Sequence, residues 1–180
     1  MSGTGTGGLP AVGLSTGSLT FASQTVSTTS TAQTVTVTNN GQGTLSISSI
    51  TITGANSGDF GQTNNCPASV ALNASCTVSV TFTPTAAGSR TASLTITDNG
   101  SGSPQSVSLS GTGTAAVPAV GLSTGSLTFA SQTVSTTSTA QTVTVTNNGP
   151  GTLSISNITI TGANSGDFGQ TNKTVRPRSH

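Results

Sequence analysis

Nucleophilic, acid–base or metal chemistry would have to come from very few side chains in this sequence of 180 residues. The acids are Asp59, Asp98 and Asp167, the bases are Arg90, Lys173, Arg176 and Arg178, and the single histidine is His180. Ser and Thr are abundant, but a hydroxyl becomes a useful nucleophile only beside a base that can take its proton. No paired carboxylates stand ready for general acid and base work. The sequence therefore predicts no enzyme and no catalytic residue. Cys66 and Cys76 are the only thiols. A structural zinc site needs about four ligands, and His180 lies outside the patterned part of the chain, so no metal site is expected from them. Asp59 and Asp167 each sit in an Ala-Asn-Ser-Gly-Asp-Phe segment. Its oxygen-rich composition invites a calcium reading, but calcium takes six to eight oxygens, and one carboxylate per loop is too few. An Asx turn, with the following Phe plugging the end of the fold, is the reading adopted. No cofactor is expected.

Other patterns carry little chemistry. Thr-x-Thr runs at Thr34/Thr36/Thr38, Thr51/Thr53, Thr95/Thr97 and Thr142/Thr144/Thr146 could suggest an ice-binding ladder. They are expected to be the solvent faces of strands, where Thr is at home, and twisted sheets do not offer a flat array. A Lys–Asn isopeptide bond needs a buried Lys, and the first lysine is Lys173. The sequons at Asn73, Asn99 and Asn157 are what chance supplies in a chain this rich in Asn, Ser and Thr. Three of the four bases fall in the last eight residues. With no basic patch elsewhere, nucleic acid is not an expected partner. No run of about 18 apolar residues predicts a membrane-spanning helix, and residues 1–8 lack the features of a signal peptide.

The elements that must position these side chains come from a repeat. Residues 10–64 recur at 118–172, offset by 108, with 53 of 55 positions identical. The differences are Gln42 against Pro150 and Ser49 against Asn157. A period of this length suits one whole sandwich domain per repeat rather than a solenoid turn. Ser2-Gly-Thr-Gly-Thr6 matches Ser110-Gly-Thr-Gly-Thr114 at the same offset, and identity stops at Asn172. The expected organisation is the end of a preceding repeat at 1–8, a complete repeat at 9–114, the N-terminal half of a second at 115–172, and a basic tail at 173–180 that reads as non-native, a natural terminus with a basic tail being the other reading. Gly111 to Val117 reads as the linker.

Alternation with period two marks the strands. It places Val12 and Leu14, Leu19 and Phe21, Val35 and Val37, and Leu45, Ile47, Ile50 and Ile52 on inward faces. Cys76, Val78, Val80 and Phe82, then Ala92, Leu94 and Ile96, then Val107 and Leu109 follow. The phase change at Ser48-Ser49 predicts a bulge or a bend. Asn40-Gly41 and Asn99-Gly100 are expected to turn through positive φ angles, and Pro84 and Gly88 bracket another turn. About seven strands per hundred residues predict an all-β, immunoglobulin-like sandwich. The second copy keeps the early strands, around Leu122, Leu127, Phe129, Val143, Val145, Leu153, Ile155, Ile158 and Ile160. It lacks counterparts of the strands at Val78, Leu94 and Val107. Half a sandwich has an apolar face and open edges, so the chain is expected to associate with itself through 115–172, by strand exchange or edge pairing.

The stretch Cys76-Thr-Val-Ser-Val-Thr-Phe-Thr-Pro-Thr-Ala-Ala-Gly-Ser-Arg-Thr-Ala-Ser-Leu-Thr-Ile-Thr-Asp98 and the closing Leu109-Ser-Gly-Thr-Gly113 resemble the bacterial choice-of-anchor D repeats, which group with the Hydin-like (ASH, MSP-like) immunoglobulin domains. Leu19-Thr-Phe21 and Val35-Thr-Val-Thr-Asn-Asn-Gly41 are similar to that family as well. The resemblance implies a seven-stranded sandwich in a large secreted or surface-attached bacterial protein, serving as a spacer. An adhesion module with a carbohydrate or protein ligand is the alternative. An exported parent would favour a Cys66–Cys76 disulfide. Such a bridge closes 11 residues, worth about 3 kcal/mol in the chain-entropy model. Two reduced thiols, one of them a small core residue, are the other reading.

Overall fold

A computed structural model of the chain describes residues 8–171 and the backbone of 175–176. The match at Ser2–Thr6 and most of the 173–180 tail lie outside the described residues. The chain divides into two compact units between Ala115 and Ala116, taken one at a time below.

The first unit has ten strands. They are β1 (Val12–Leu14), β2 (Ser18–Thr20), β3 (Gln24–Thr25), β4 (Gln33–Asn39), β5 (Leu45–Thr53), β6 (Phe60–Asn64), β7 (Ser69–Val70), β8 (Ser75–Phe82), β9 (Gly88–Asp98) and β10 (Gln105–Thr114). One sheet runs β1-β4-β8-β6, the other β2-β10-β9-β5-β7, with β3 also on β10. Side-chain alternation turns this into an immunoglobulin-like sandwich. Cys76, Val78, Val80 and Phe82 of β8 and Val35 and Val37 of β4 point inward, against Leu94 and Ile96 of β9 and Val107 and Leu109 of β10. All of these are buried, while the residues between them stay partly or wholly exposed. Every strand read from alternation is present. The bulge is present too, as a register shift between Ile47 and Ser49 that keeps Leu45 and Ile47 on the inner face along with Ile50 and Ile52.

Three strands escape the pattern. β3 and β7 are two residues long, and β6 (Phe-Gly-Gln-Thr-Asn) has no apolar alternation. β6 exists because its backbone pairs with β8, from Phe60↔Phe82 to Asn64↔Val78. The pairings of β2 and β3 with β10 are parallel, so this sheet is mixed, with a non-local edge that no hairpin signal announces.

Two expectations need correction. Gly111–Thr114 is not linker but the end of β10, with Gly111–Gly113 paired to Gly88–Arg90 and Thr114 to Thr25. Its glycines serve close packing: a Cβ at Gly111 would stand 2.6 Å from the Phe82 ring, and one at Gly113 would strike the carbonyl oxygen of Ala86. Nor do Gly41 and Gly100 turn through positive φ; the left-handed glycines of this unit are Gly54, Gly88 and Gly102. Gly41 is needed for proximity instead, because the backbone of Leu9–Ala11 crosses directly over it.

The second unit, taken alone, contains β11 (Val120–Leu122), β12 (Val145–Asn147) and β13 (Val175–Arg176), in the order β11-β12-β13. The strands expected around Leu127, Phe129, Leu153, Ile155, Ile158 and Ile160 do not form. The reason lies in the first copy, where β2 pairs with β10 and β5 with β9 and β7. Those partners fall within residues 69–114, which the second copy does not reproduce. Alternation prepares a strand, but a ladder needs a neighbour to accept its hydrogen bonds.

Candidate functional site

Two of the three charged side chains of the first unit, Asp59 and Arg90, meet at one end of the sandwich, while Asp98 closes β9 at its other end and accepts the Gly100 N–H. A short 3-10 turn, Ser57–Asp59, delivers Asp59 to the start of β6. Thr85 lies in the turn after β8, and Arg90 is near the start of β9. The Arg90 Nε donates to Asp59 Oδ2. Thr85 donates to Asp59 Oδ1 twice, from its hydroxyl at 2.7 Å and its backbone N–H at 3.1 Å. The Asp59 carbonyl accepts the Thr83 N–H at 2.7 Å. The Asp59 side chain is 2% exposed and that of Arg90 18%.

Burial pushes the Asp59 carboxyl up, the largest single influence. The hydrogen bonds from Arg90 and Thr85, with the Arg90 charge, outweigh it together and hold the group below the ordinary carboxylate value. Such a carboxylate is ionised and occupied at neutral pH. It has no proton to give as a general acid, and both its oxygens are engaged. Its chemistry is to lock the β8–β9 turn onto β6. The sequence reading placed Asp59 in a turn but missed its partner. A signal was available: Arg90 is the only base before Lys173, and a buried acid needs a partner.

The expected Phe plug lies next to this cluster. Phe60 is 6% exposed. It stacks on Phe82 with centroids 4.9 Å apart, and Phe21 completes the group at 5.8 Å from Phe82 and 5.9 Å from Phe60. No Phe of this unit is left as a recognition platform.

Cys66 and Cys76 form a disulfide with Cα atoms 4.9 Å apart. It fastens the loop after β6 to the start of β8, where Asn65 Oδ1 also accepts the Thr77 N–H at 2.7 Å. Asn39 is a second buried polar anchor. Its side-chain nitrogen donates to the carbonyls of Gly43 and Val70, at 2.8 and 3.0 Å, and its oxygen accepts the Gly41 N–H at 3.0 Å. Of the sequon residues, Asn99 is occupied, accepting the Ser46 N–H at 2.8 Å. Among the described residues no three His, Cys, Asp or Glu side chains gather as metal ligands, and no helix is long and apolar enough to cross a membrane.

The second unit keeps fragments of the same framework. Asn147 repeats two of the three Asn39 contacts, to Gly151 and Gly149. Gln141 holds the Thr128 carbonyl at 2.7 Å and Gln170 that of Ile158 at 2.7 Å, as Gln33 and Gln62 hold Thr20 and Ile50. Phe129 and Phe168 remain 6.1 Å apart. They are 37% and 51% exposed, whereas their counterparts Phe21 and Phe60 are buried. Asp167, the counterpart of Asp59, is exposed. Thr128, Phe129, Ala130 and Gln141 line an open cavity.

The family model described as Cep192 domain 4 matches residues 10–114. Among solved structures, a protein of unknown function from Porphyromonas gingivalis W83 is 14% identical, with a TM-score of 0.49 over 58% of this chain and 47% of that one. The chain thus spans about half the length of that protein. The ASH/PapD-like domain of human CEP192 (PapD-like domain 7) is 20% identical, with a TM-score of 0.42 over 59% of this chain and 87% of that one. The secreted serine protease VesC from Vibrio cholerae is 18% identical, with a TM-score of 0.40 over 56% of this chain and 22% of that one. No curated protein matches the sequence. With residues 10–114 taking in all ten strands of the first unit, the chain belongs to the Cep192 domain 4 family.

Proposed function

We propose that this chain is a non-enzymatic spacer repeat of the choice-of-anchor D kind, part of a tandem array in a large exported bacterial surface protein. The observation that carries the reading is how the chemistry of the first unit is used. Its Asp59–Arg90 ion pair, its three Phe rings and its two cysteines are all used to hold the sandwich together. A repeat period of 108 residues, with near-identity between copies, supports a role in which each unit does the same mechanical work. The disulfide supports an oxidising compartment. A binding module would instead offer an exposed aromatic or charged cluster, and the burial of Phe60 weighs against that alternative. Self-association through 115–172 belongs to the same proposal, carried by the exposed apolar side chains of the second unit.

The test is to recover the protein from cells of its source, fractionate surface from cytoplasm, and measure its intact mass with and without reductant. Surface material that gains two hydrogens on reduction is the expected result. Protein confined to the cytoplasm with free thiols would overturn the exported reading.

A further inference from the structure

We propose that the parallel contact of β2 and β3 with β10 is a mechanical clamp, which lets the first unit bear tension along the chain without unfolding. The inference rests on the spacer reading above and adds the load that such a spacer carries.

Strand direction decides how a ladder fails under tension. In a parallel pair, the amino-terminal end of one strand and the carboxy-terminal end of the other lie at opposite ends of the ladder. Tension drawn through those two ends slides the strands past each other and strains every hydrogen bond at once. In an antiparallel pair the same two ends lie side by side, and tension parts the bonds one after another. Antiparallel pairing is the rule in sandwiches, and every other described ladder of the first unit follows it.

The exception lies where the tension passes. β10 is the last strand of the first unit, and the chain runs on from Thr114 into the second copy. β2 and β3 lie near the other end of the same stretch of chain. Ser108↔Ser18, Leu109↔Leu19 and Ser110↔Thr20 are paired, then Gly113↔Gln24 and Thr114↔Thr25. The Ser108 N–H donates to the Gly17 carbonyl at 3.0 Å, the Phe21 N–H to that of Ser110 at 2.8 Å, and the Val26 N–H to that of Thr114 at 2.9 Å. β1 precedes β2 but pairs with β4 in the other sheet, so drawing it off leaves this ladder whole.

Both sides of the contact are anchored. On its other edge β10 pairs with β9 from Gln105↔Ile96 to Gly113↔Gly88. Beneath the ladder Leu19, Phe21 and Leu109 are all buried. Sliding β2 along β10 therefore draws apolar side chains toward water as well as breaking hydrogen bonds.

The experiment pulls the full chain by single-molecule force spectroscopy in two geometries. Handles at the amino terminus and Ala115 shear the ladder. Handles at Ser27, which is exposed just past β3, and Ala115 hold ends that lie side by side and unzip the same bonds. The first geometry should need a severalfold larger force. Each event should lengthen by about 30 Å when the Cys66–Cys76 bridge, ten residues apart in sequence, is reduced, which marks unfolding of the whole unit. Forced unfolding follows the unfolding barrier rather than equilibrium stability, so two variants separate the clamp from general stability. Val26→Pro removes one ladder donor and should lower the shear force. Ile52→Val, on β5 and away from this ladder, should lower the denaturant midpoint and leave the shear force unchanged. If Val26→Pro does not fold, Ser108→Pro removes the donor to Gly17 instead, and the two geometries need no variant at all. Equal forces in the two geometries, or a shear force that tracks the denaturant midpoint in both variants, overturns the proposal. A weak ladder in a protein that fractionates to the cell surface would end this inference and leave the exported reading standing.

Discussion

Replacing Arg90 by Met isolates the contribution of the buried charge cluster. Met keeps the aliphatic bulk of the arginine stem and removes the guanidinium, leaving the Asp59 carboxylate, 2% exposed, with only its two Thr85 hydrogen bonds. Removing one partner of a fully buried pair costs about 3–5 kcal/mol. Arg90 is 18% exposed, so water screens part of the pair and about 2–3 kcal/mol is expected near pH 7. The pH dependence follows from the direction of the Asp59 shift. In the parent chain the folded carboxyl titrates below its unfolded value, so its contribution is complete above about pH 4 and fades as the pH falls through the lower, folded value. In Arg90→Met the lowering by the guanidinium is lost and the carboxyl shifts upward from its place in the parent, so acid neutralises the stranded charge earlier. The gap between the two proteins should be widest near neutrality and shrink below about pH 4. The chain has no Trp or Tyr, so the measurement is guanidinium unfolding by far-ultraviolet circular dichroism, with amide exchange in β8–β10 assigning the loss to the first unit. A cost below about 0.5 kcal/mol, the range of a surface change, or a gap that does not vary with pH, would refute the account of Asp59 as a locked carboxylate.

Other perturbations test the same physics. Reduction of the disulfide, or Cys66→Ser combined with Cys76→Ala, should lower stability by about 3 kcal/mol, as expected for opening an 11-residue loop; denaturant midpoints with and without reductant measure it. Gly111→Val would force side-chain atoms into the Phe82 ring, 2.6 Å from where its Cβ would stand. A loss of about 1–3 kcal/mol is expected, while Gly58→Ala, with open space around its Cβ, should be close to neutral by the same thermal melt. Asn39→Ala removes three buried or part-buried hydrogen bonds and should cost about 2–4 kcal/mol. The same change at Asn147, which has lost the counterpart of the Val70 contact, should cost the melt far less.

Much of this architecture is legible in the residues. Period-two alternation is a local property, so the inward faces of β4, β5, β8, β9 and β10 can be read directly, and even the β5 bulge shows as a slip in phase at Ser48-Ser49. β6 is not legible, because Phe-Gly-Gln-Thr-Asn becomes a strand only through the backbone of β8. The end of β10 reads as linker in the sequence because its glycines suggest flexibility, whereas Phe82 and Ala86 press against them in the fold. The Asp59–Arg90 pair joins residues 31 apart in sequence, and no spacing rule connects a turn acid to a strand base.

The two near-identical copies separate local from tertiary causes within one chain. By itself the sequence determined the alternation, the repeat and the local contacts that Asn39 and Asn147 share. Those depend on neighbours a few residues away, and they recur in both units. Tertiary structure decided which of those segments became strands and whether Asp59 or Asp167 was buried. Leu19-Thr-Phe21 and Leu127-Thr-Phe129 are the same tripeptide, yet only the first lies against a β10 and is buried. Hydrogen-bond ladders and apolar burial both require a partner surface, and among the described residues β9 and β10 give the first copy one that Leu127-Thr-Phe129 and Ile158 do not meet.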